Sequence, residues 1–86
     1  MTSTVGFRKG QAMHDAGQIY YVTLYDDKGL FVYFKATRHR FETFKGMERR
    51  IAKFSRKHYK DLLWRFSTHY ERDLIAEGKV QCERMI

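Results

Sequence analysis

Residues 18–36 read QIYYVTLYDDKGLFVYFKA, two runs of β-branched and aromatic residues separated by Asp26, Asp27, Lys28 and Gly29. An aspartate at the start of a turn can accept hydrogen bonds from the backbone that follows it. A glycine at its end can take the left-handed conformation that closes the turn. The stretch therefore predicts a β-hairpin.

Both faces of this hairpin are apolar enough to need cover. Alternation along the strands assigns to one face Tyr20, Val22, Leu24, Leu30, Val32, Phe34 and Ala36. It assigns to the second face Ile19, Tyr21, Thr23, Tyr25, Phe31, Tyr33 and Lys35. Because an isolated hairpin is marginally stable, we expect a third, N-terminal strand from residues 3–9.

The second face contains a group of aromatic residues with a cation at its edge, a candidate binding surface: Tyr21, Tyr25, Phe31, Tyr33 and Lys35. We expect it to be buried against the N-terminal strand or against a second copy of the chain, as a homodimer. Stacking on nucleic-acid bases is the alternative, since open sheets with aromatics and nearby cations bind RNA in that way.

Residues 38–77 contain no proline and carry apolar residues every three or four positions, which predicts one long amphipathic helix or two consecutive ones. Thr37 is the expected N-cap, Gly78 the expected stop, and Ser55 the cap of a second helix if the chain bends there. Residues 79–86 would add a short strand or fray. The predicted fold is one α+β domain over residues 1–86, with a small antiparallel sheet packed on the helical segment.

The charge of the chain is concentrated in one segment. The 86 residues have a net charge of +7, and residues 38–60 alone hold nine basic and two acidic side chains. On a helical wheel, Arg49, Lys53, Lys57 and Lys60 lie opposite the apolar face, flanked by Arg50 and Arg56. Like charges at this spacing repel, and a bound anion would relieve the repulsion.

These cations predict contact with nucleic-acid phosphates, of DNA or RNA, because each neutralised phosphate releases counterions. An acidic protein surface is the alternative partner, and a basic face that only contacts solvent is the third interpretation. Trp64 lies at the end of the cationic face. We expect it to pack in a second small core with Ile75 and the C-terminal tail. The alternatives are that it stacks on an unpaired base or anchors a protein partner.

Several classes of function are not indicated by the sequence. His14, His39, His58 and His69 show no metal-binding spacing, the glycines form no phosphate-binding loop, and Cys82 is the single cysteine. We therefore expect no enzyme activity, no metal and no cofactor. No apolar run is long enough to span a membrane, so we expect a cytoplasmic protein with no membrane contact.

Over residues 3–54, the expected order of three strands and a basic amphipathic helix resembles the DNA-binding domains of phage integrases and plant AP2-type factors. The aromatic doublet Tyr20-Tyr21 and the turn ending in Gly29 fit that layout. The resemblance implies a DNA-binding module, although here the charge lies on the helix and not on the sheet. The expected function is thus a small basic nucleic acid-binding protein. The alternative is a phage-like accessory protein, an inhibitor or adaptor acting by protein-protein interaction on an acidic groove of a host protein.

Overall fold

The structure is a computed structural model that describes residues 17–86. These residues form six elements: β1 (Ile19–Tyr25), β2 (Phe31–Thr37), α1 (Phe44–His58), β3 (Leu63–Phe66), α2 (His69–Ala76) and β4 (Cys82–Met85). The α+β class predicted from the sequence is confirmed for this part of the chain. Neither helix within residues 17–86 is long and apolar enough to cross a membrane.

The predicted hairpin is confirmed, with β1 and β2 antiparallel and Val22 opposite Phe34. The carboxylate of Asp26 forms the turn: its Oδ1 accepts hydrogen bonds at 2.9 Å from the backbone N–H of both Lys28 and Leu30. Gly29 has a φ of 88°, which a residue with a Cβ adopts only with strain. The turn is therefore specified by the two residue types that the sequence places there.

The sheet has the order β3-β1-β2-β4. β3 pairs antiparallel with β1, whereas β4 pairs parallel with β2, so the sheet is mixed and the prediction of a purely antiparallel sheet is wrong. The residues 79–86 expected to add a strand or fray supply β4. The N-terminal strand predicted for residues 3–9 lies outside the described residues.

Residues 38–77, predicted to form one long helix or two consecutive ones, contain two helices, and the strand β3 separates them. Helix α1 ends at His58, and Tyr59 leaves the helical region with φ −143° and ψ 55°. The apolar positions Leu62 and Phe66 are four residues apart and fit a helix, but with Trp64 they also alternate as in a strand. The open edge of β1 offers hydrogen bonds to such a strand, and this tertiary pairing overrides the helical period.

The helix caps also differ from those predicted. Thr37 ends β2, and Thr43 is the N-cap of α1, with its hydroxyl accepting a hydrogen bond from the N–H of Gly46 at 2.9 Å. Ser55 does not cap a helix, because it lies buried inside α1. The N-cap of α2 is Thr68. The predicted stop at Gly78 is confirmed, since this glycine lies in the left-handed region just after α2 ends.

The core lies between the first hairpin face and α1. Its six fully buried apolar side chains are Val22, Leu24, Phe34, Ala36, Met47 and Ile51. Phe34 packs on Phe54 with the ring centroids 5.0 Å apart. At the other end of α1, Phe44 packs against Tyr20 and Phe66. Burial of this face fixes which side of α1 remains in solvent.

Helix α2 begins on the opposite face of the sheet. The hydroxyl of Thr23, on the second face of the hairpin, donates a hydrogen bond to the carboxylate of Glu71 at 3.1 Å, and Thr23 is fully buried. Arg72 places its guanidinium 5.4 Å from the ring centre of Tyr21. The two described helices therefore lie on different faces, which separates the surface of α1 from that of α2.

Candidate functional site

The outward side of α1 carries five exposed basic residues, which we call the cationic ridge: Lys45, Arg49, Lys53, Arg56 and Lys57. The ridge is opposite Met47 and Ile51, which pack into the core. At about 100° per residue, the ridge positions fall within roughly one third of the helix circumference. The structure therefore keeps the helical part of the predicted cationic face together. Lys45 was missed, although its spacing of four from Arg49 was readable in the sequence.

None of the ridge residues has a carboxylate within ion-pair distance among residues 17–86. The ion pairs in this part of the chain join Arg50 to Glu42, Arg65 to Glu71 and Lys79 to Glu77. Arg56 and Lys57 lie in the last turn of α1, where the partial negative charge of the helix end stabilises them. Lys45, Arg49 and Lys53 receive no such stabilisation and repel one another at spacings of four.

Arg50 flanks the ridge but is bound within the protein. Its Nε and Nη2 each donate to the carboxylate of Glu42 at 2.9 Å, and Nη2 also donates to the carbonyl oxygen of Thr37 at 2.6 Å. The hydrogen bonds from Arg50 lower the pKa of Glu42 from 4.5 to about 2. Arg50 thus joins the middle of α1 to Glu42, which precedes the helix, and to the end of β2. The carboxylate of Glu42 neutralises its charge.

The structure removes Lys60 and Trp64 from the helix face on which the sequence placed them. Lys60 lies in the exposed turn after α1, and Trp64 lies in β3 opposite Leu24. The indole packs edge-on against Phe66, with ring centroids 5.4 Å apart, and contacts the main core. The expectation of a second core around Trp64 is therefore not met.

Lys60, Trp64 and Arg56 nevertheless lie close together, because they line one cleft. This cleft, of about 440 Å³, lies between the C-terminal half of α1 and the start of β3. Its other walls include Ser55, Leu62 and Leu63. Three of the residues predicted from the sequence thus meet at the end of the cationic ridge, through a turn and not through a helix.

Ser55, in the wall of this cleft, has a buried hydroxyl without a partner among the described residues. The residue is only 3% exposed. A buried polar atom without a partner costs about 1–3 kcal/mol. Because Ser55 lines the cleft, a hydrogen bond from a ligand would remove this cost once a rotation about χ1 exposed the oxygen.

The second candidate surface is partly occupied by the protein's own cations. The ring centre of Tyr21 is 5.8 Å from the ammonium of Lys35 and 5.4 Å from the guanidinium of Arg72. The guanidinium of Arg65 lies 5.4 Å from the ring centre of Tyr25. The remaining two members, Phe31 and Tyr33, stack with an interplanar angle of 9° and a centroid distance of 6.4 Å. The start of α2 covers part of this face, which was expected to need an N-terminal strand or a second copy.

An ion-pair network that sequence reasoning missed lies under α2. Glu71 accepts two hydrogen bonds from Arg65, one from the hydroxyl of Thr23 and one from the N–H of Thr68. The hydrogen bonds from Arg65, together with those from the two threonines, lower the pKa of Glu71 from 4.5 to about 2. The sequence Thr68-His69-Tyr70-Glu71 is a capping-box pattern and could have indicated where α2 begins.

The titratable groups in the described residues form no cluster suited to metal binding: within residues 17–86, no three His, Cys, Asp or Glu side chains come together. His14 lies outside this range. His58 packs on Phe54, with centroids 4.6 Å apart. Burial raises the pKa of the Cys82 thiol, which makes it a poorer nucleophile near neutral pH.

Comparison of the chain with protein-family models, curated proteins and solved structures found no match.

Proposed function

We propose that this chain is a small basic, non-enzymatic binding protein that contacts nucleic-acid phosphates through the cationic ridge. The observation that supports the proposal is the set of exposed ridge side chains on one side of α1, without carboxylate partners among residues 17–86. A phosphate backbone would relieve the repulsion between these cations and release counterions.

The geometry of the ridge favours binding to the phosphate backbone over recognition of base sequence. The ridge side chains are long and positively charged, so their main contacts are expected with phosphate oxygens. These oxygens are the same in every nucleic-acid sequence. If about four to six phosphates are engaged, the slope of log affinity against log salt is about −4 to −5 on duplex DNA. Binding would therefore be salt-sensitive and only weakly dependent on sequence.

The experiment is a double charge reversal on the ridge, K53E with K57E, measured by fluorescence anisotropy of a labelled oligonucleotide at several salt concentrations. Both residues are exposed, so the fold is expected to persist. The salt slope is expected to become shallower by about 2, with a large loss of affinity at low salt. Unchanged affinity would refute the proposal.

A matched control separates the ridge from the net charge. The variant K28E with K79E makes the same change in total charge at two exposed positions away from α1. It is expected to bind almost as well as the wild type. An equal loss of affinity in both double variants would mean that overall charge, and not the ridge, governs binding.

The competing proposal is an inhibitor or adaptor that binds an acidic groove of another protein. It is favoured by Leu63, which is 63% exposed at the wall of the cleft beside Lys60. An apolar side chain of this kind, rimmed by cations, is typical of a protein contact. Two results together would support this alternative. A protein partner stays bound in fixed stoichiometry after nuclease treatment, and the chain binds no oligonucleotide.

A further inference from the structure

We infer that the cleft between α1 and β3 binds one unpaired nucleotide, with its base against Trp64 and its phosphate at Arg56 and Lys60. The inference rests on the proposed function and specifies it: the preferred ligand is single-stranded nucleic acid. Three features of the cleft support this assignment, namely its walls, its charge and the hydroxyl of Ser55.

The walls of the cleft suit a flat, largely apolar group. The apolar part of its lining comes from Ala52, Leu62, Leu63 and the indole of Trp64. The volume of about 440 Å³ falls in the range of about 300–1,000 Å³ that small-molecule sites occupy. Stacking of a base on an aromatic side chain is a common way to hold single-stranded nucleic acid, since every base has an aromatic face.

The charge of the cleft suits an anion attached to that flat group. Arg56 and Lys60 are both exposed and both line the cleft, and none of the described residues that line it is acidic. Arg56 also belongs to the cationic ridge, so a strand running along the ridge would reach the cleft at its end. The site therefore accepts a phosphate next to the apolar wall.

Ser55 supplies a polar group, unpartnered among the described residues, at the wall of the cleft. Its hydroxyl oxygen is buried without a partner among residues 17–86, and the residue is 3% exposed. The polar edge of a base carries both donors and acceptors, and it pairs with this hydroxyl after a rotation about χ1 turns the oxygen into the cleft. In a duplex these edges are paired and the bases are stacked, so only an unpaired or flipped-out base can enter.

The experiment uses Trp64 as its own reporter, because it is the single tryptophan of the chain. The full-length protein is titrated with a single-stranded oligonucleotide, with the same length of duplex, and with an abasic single strand that keeps the phosphates. We expect the single strand to quench the tryptophan fluorescence, and the duplex and abasic strand to do so much less. The abasic strand should bind at least about fivefold more weakly than the normal strand.

Two variants that remove a buried, unpartnered hydroxyl provide the matched test. S55A removes the one in the cleft, whereas T37V removes one at the end of β2, which does not line the cleft. Both variants are expected to be at least as stable as the wild type, because each deletes an unsatisfied group. Only S55A should weaken single-strand binding, by about three- to tenfold, with duplex binding unchanged.

The outcomes distinguish this inference from the function on which it rests. If the single strand and the duplex leave the fluorescence unchanged and S55A binds like T37V, the cleft inference is overturned, while loss of affinity in K53E with K57E still supports the ridge. If polyglutamate quenches Trp64 as strongly as the oligonucleotide, the cleft takes acidic protein segments, and the nucleotide assignment is overturned. If the ridge variant binds normally, the proposed function fails first.

Discussion

The guanidinium of Arg65 on β3 donates two hydrogen bonds to the carboxylate of Glu71 on α2, from Nη1 to Oε1 at 2.7 Å and from Nη2 to Oε2 at 3.0 Å. Oε1 also accepts from Thr23 at 3.1 Å and from the N–H of Thr68 at 2.9 Å. Glu71 is only 7% exposed, so these donors replace most of its water. This pair attaches α2 to the second face of the sheet.

Replacement of this carboxylate is expected to destabilise the protein. In E71Q the negative charge is lost, and the guanidinium of Arg65 keeps one of its two oxygen acceptors on this side chain. Because Arg65 is partly exposed, we expect a loss of about 2–3 kcal/mol. Chemical denaturation followed by circular dichroism measures this loss of stability.

E77Q is the control: Glu77 pairs with Lys79 at 3.3 Å on the surface, and loss of this ion pair should cost less than about 0.5 kcal/mol. Equal effects would contradict the buried role of Glu71.

Stability is expected to fall in acid because of Glu42 and Glu71. Both have a folded-state pKa of about 2, below the ordinary 4.5, so the unfolded chain binds protons more readily. Their contribution, roughly 1–3 kcal/mol each, is complete above pH 4.5 and is lost as the pH falls toward 2. Denaturation midpoints measured from about pH 6 to about pH 2.5 test this. A double E42Q/E71Q variant that keeps the full dependence would show that other groups cause it.

Substitutions of the neighbouring Arg49 and Arg50 on α1 are expected to affect different properties, nucleic-acid binding and stability respectively. R50A breaks the contacts to Glu42 and to the carbonyl of Thr37, so it should destabilise the fold by about 1–3 kcal/mol. R49A removes an exposed ridge cation and should change stability by less than about 0.5 kcal/mol. It should instead reduce the salt slope of oligonucleotide binding by about 1. Thermal melts and anisotropy separate the two effects. A reversed pattern would place Arg50, and not Arg49, on the binding surface.

Phe41 is expected to carry backbone strain. It is 63% exposed and has a φ of 65°, a conformation that β-carbon sterics disfavour for most residues and that asparagine tolerates. In F41N, relief of the backbone strain should therefore stabilise the protein by about 0.5–1 kcal/mol. The loss of the cation–π contact between the ring and Arg40, at 5.1 Å, reduces this gain. F41A keeps the strain and loses the ring, so it should not stabilise. Denaturation curves decide, and a destabilised F41N would mean that the ring contact outweighs the strain.

The elements that could be predicted are those specified by neighbouring residues. Asp26 and Gly29 lie within one turn, so the hairpin was readable together with the assignment of its two faces. Arg49, Lys53 and Lys57 lie at spacings of four inside a helix that does form, so their common face was readable too. A period of 3.6 residues is a local property and survives in the folded chain.

Other features depend on partners far along the chain. The alternation of Leu62, Trp64 and Phe66 permits either a helix edge or a strand, and the free edge of β1 decides for the strand. That decision moves Trp64 off the helix and brings it, with Lys60, to the cleft at the end of the ridge. Only the folded chain shows this convergence.

The sequence by itself determined the hairpin, the α+β class and the concentration of cations on one helix face, because turns and helical periods depend on residues a few positions apart. The tertiary structure decided that β3 interrupts the helical segment, that β4 joins the sheet in parallel, and that Glu71 meets Arg65 and Glu42 meets Arg50. These outcomes depend on which sheet edge is open and which buried charge needs a partner, and both are set only when distant segments pack together.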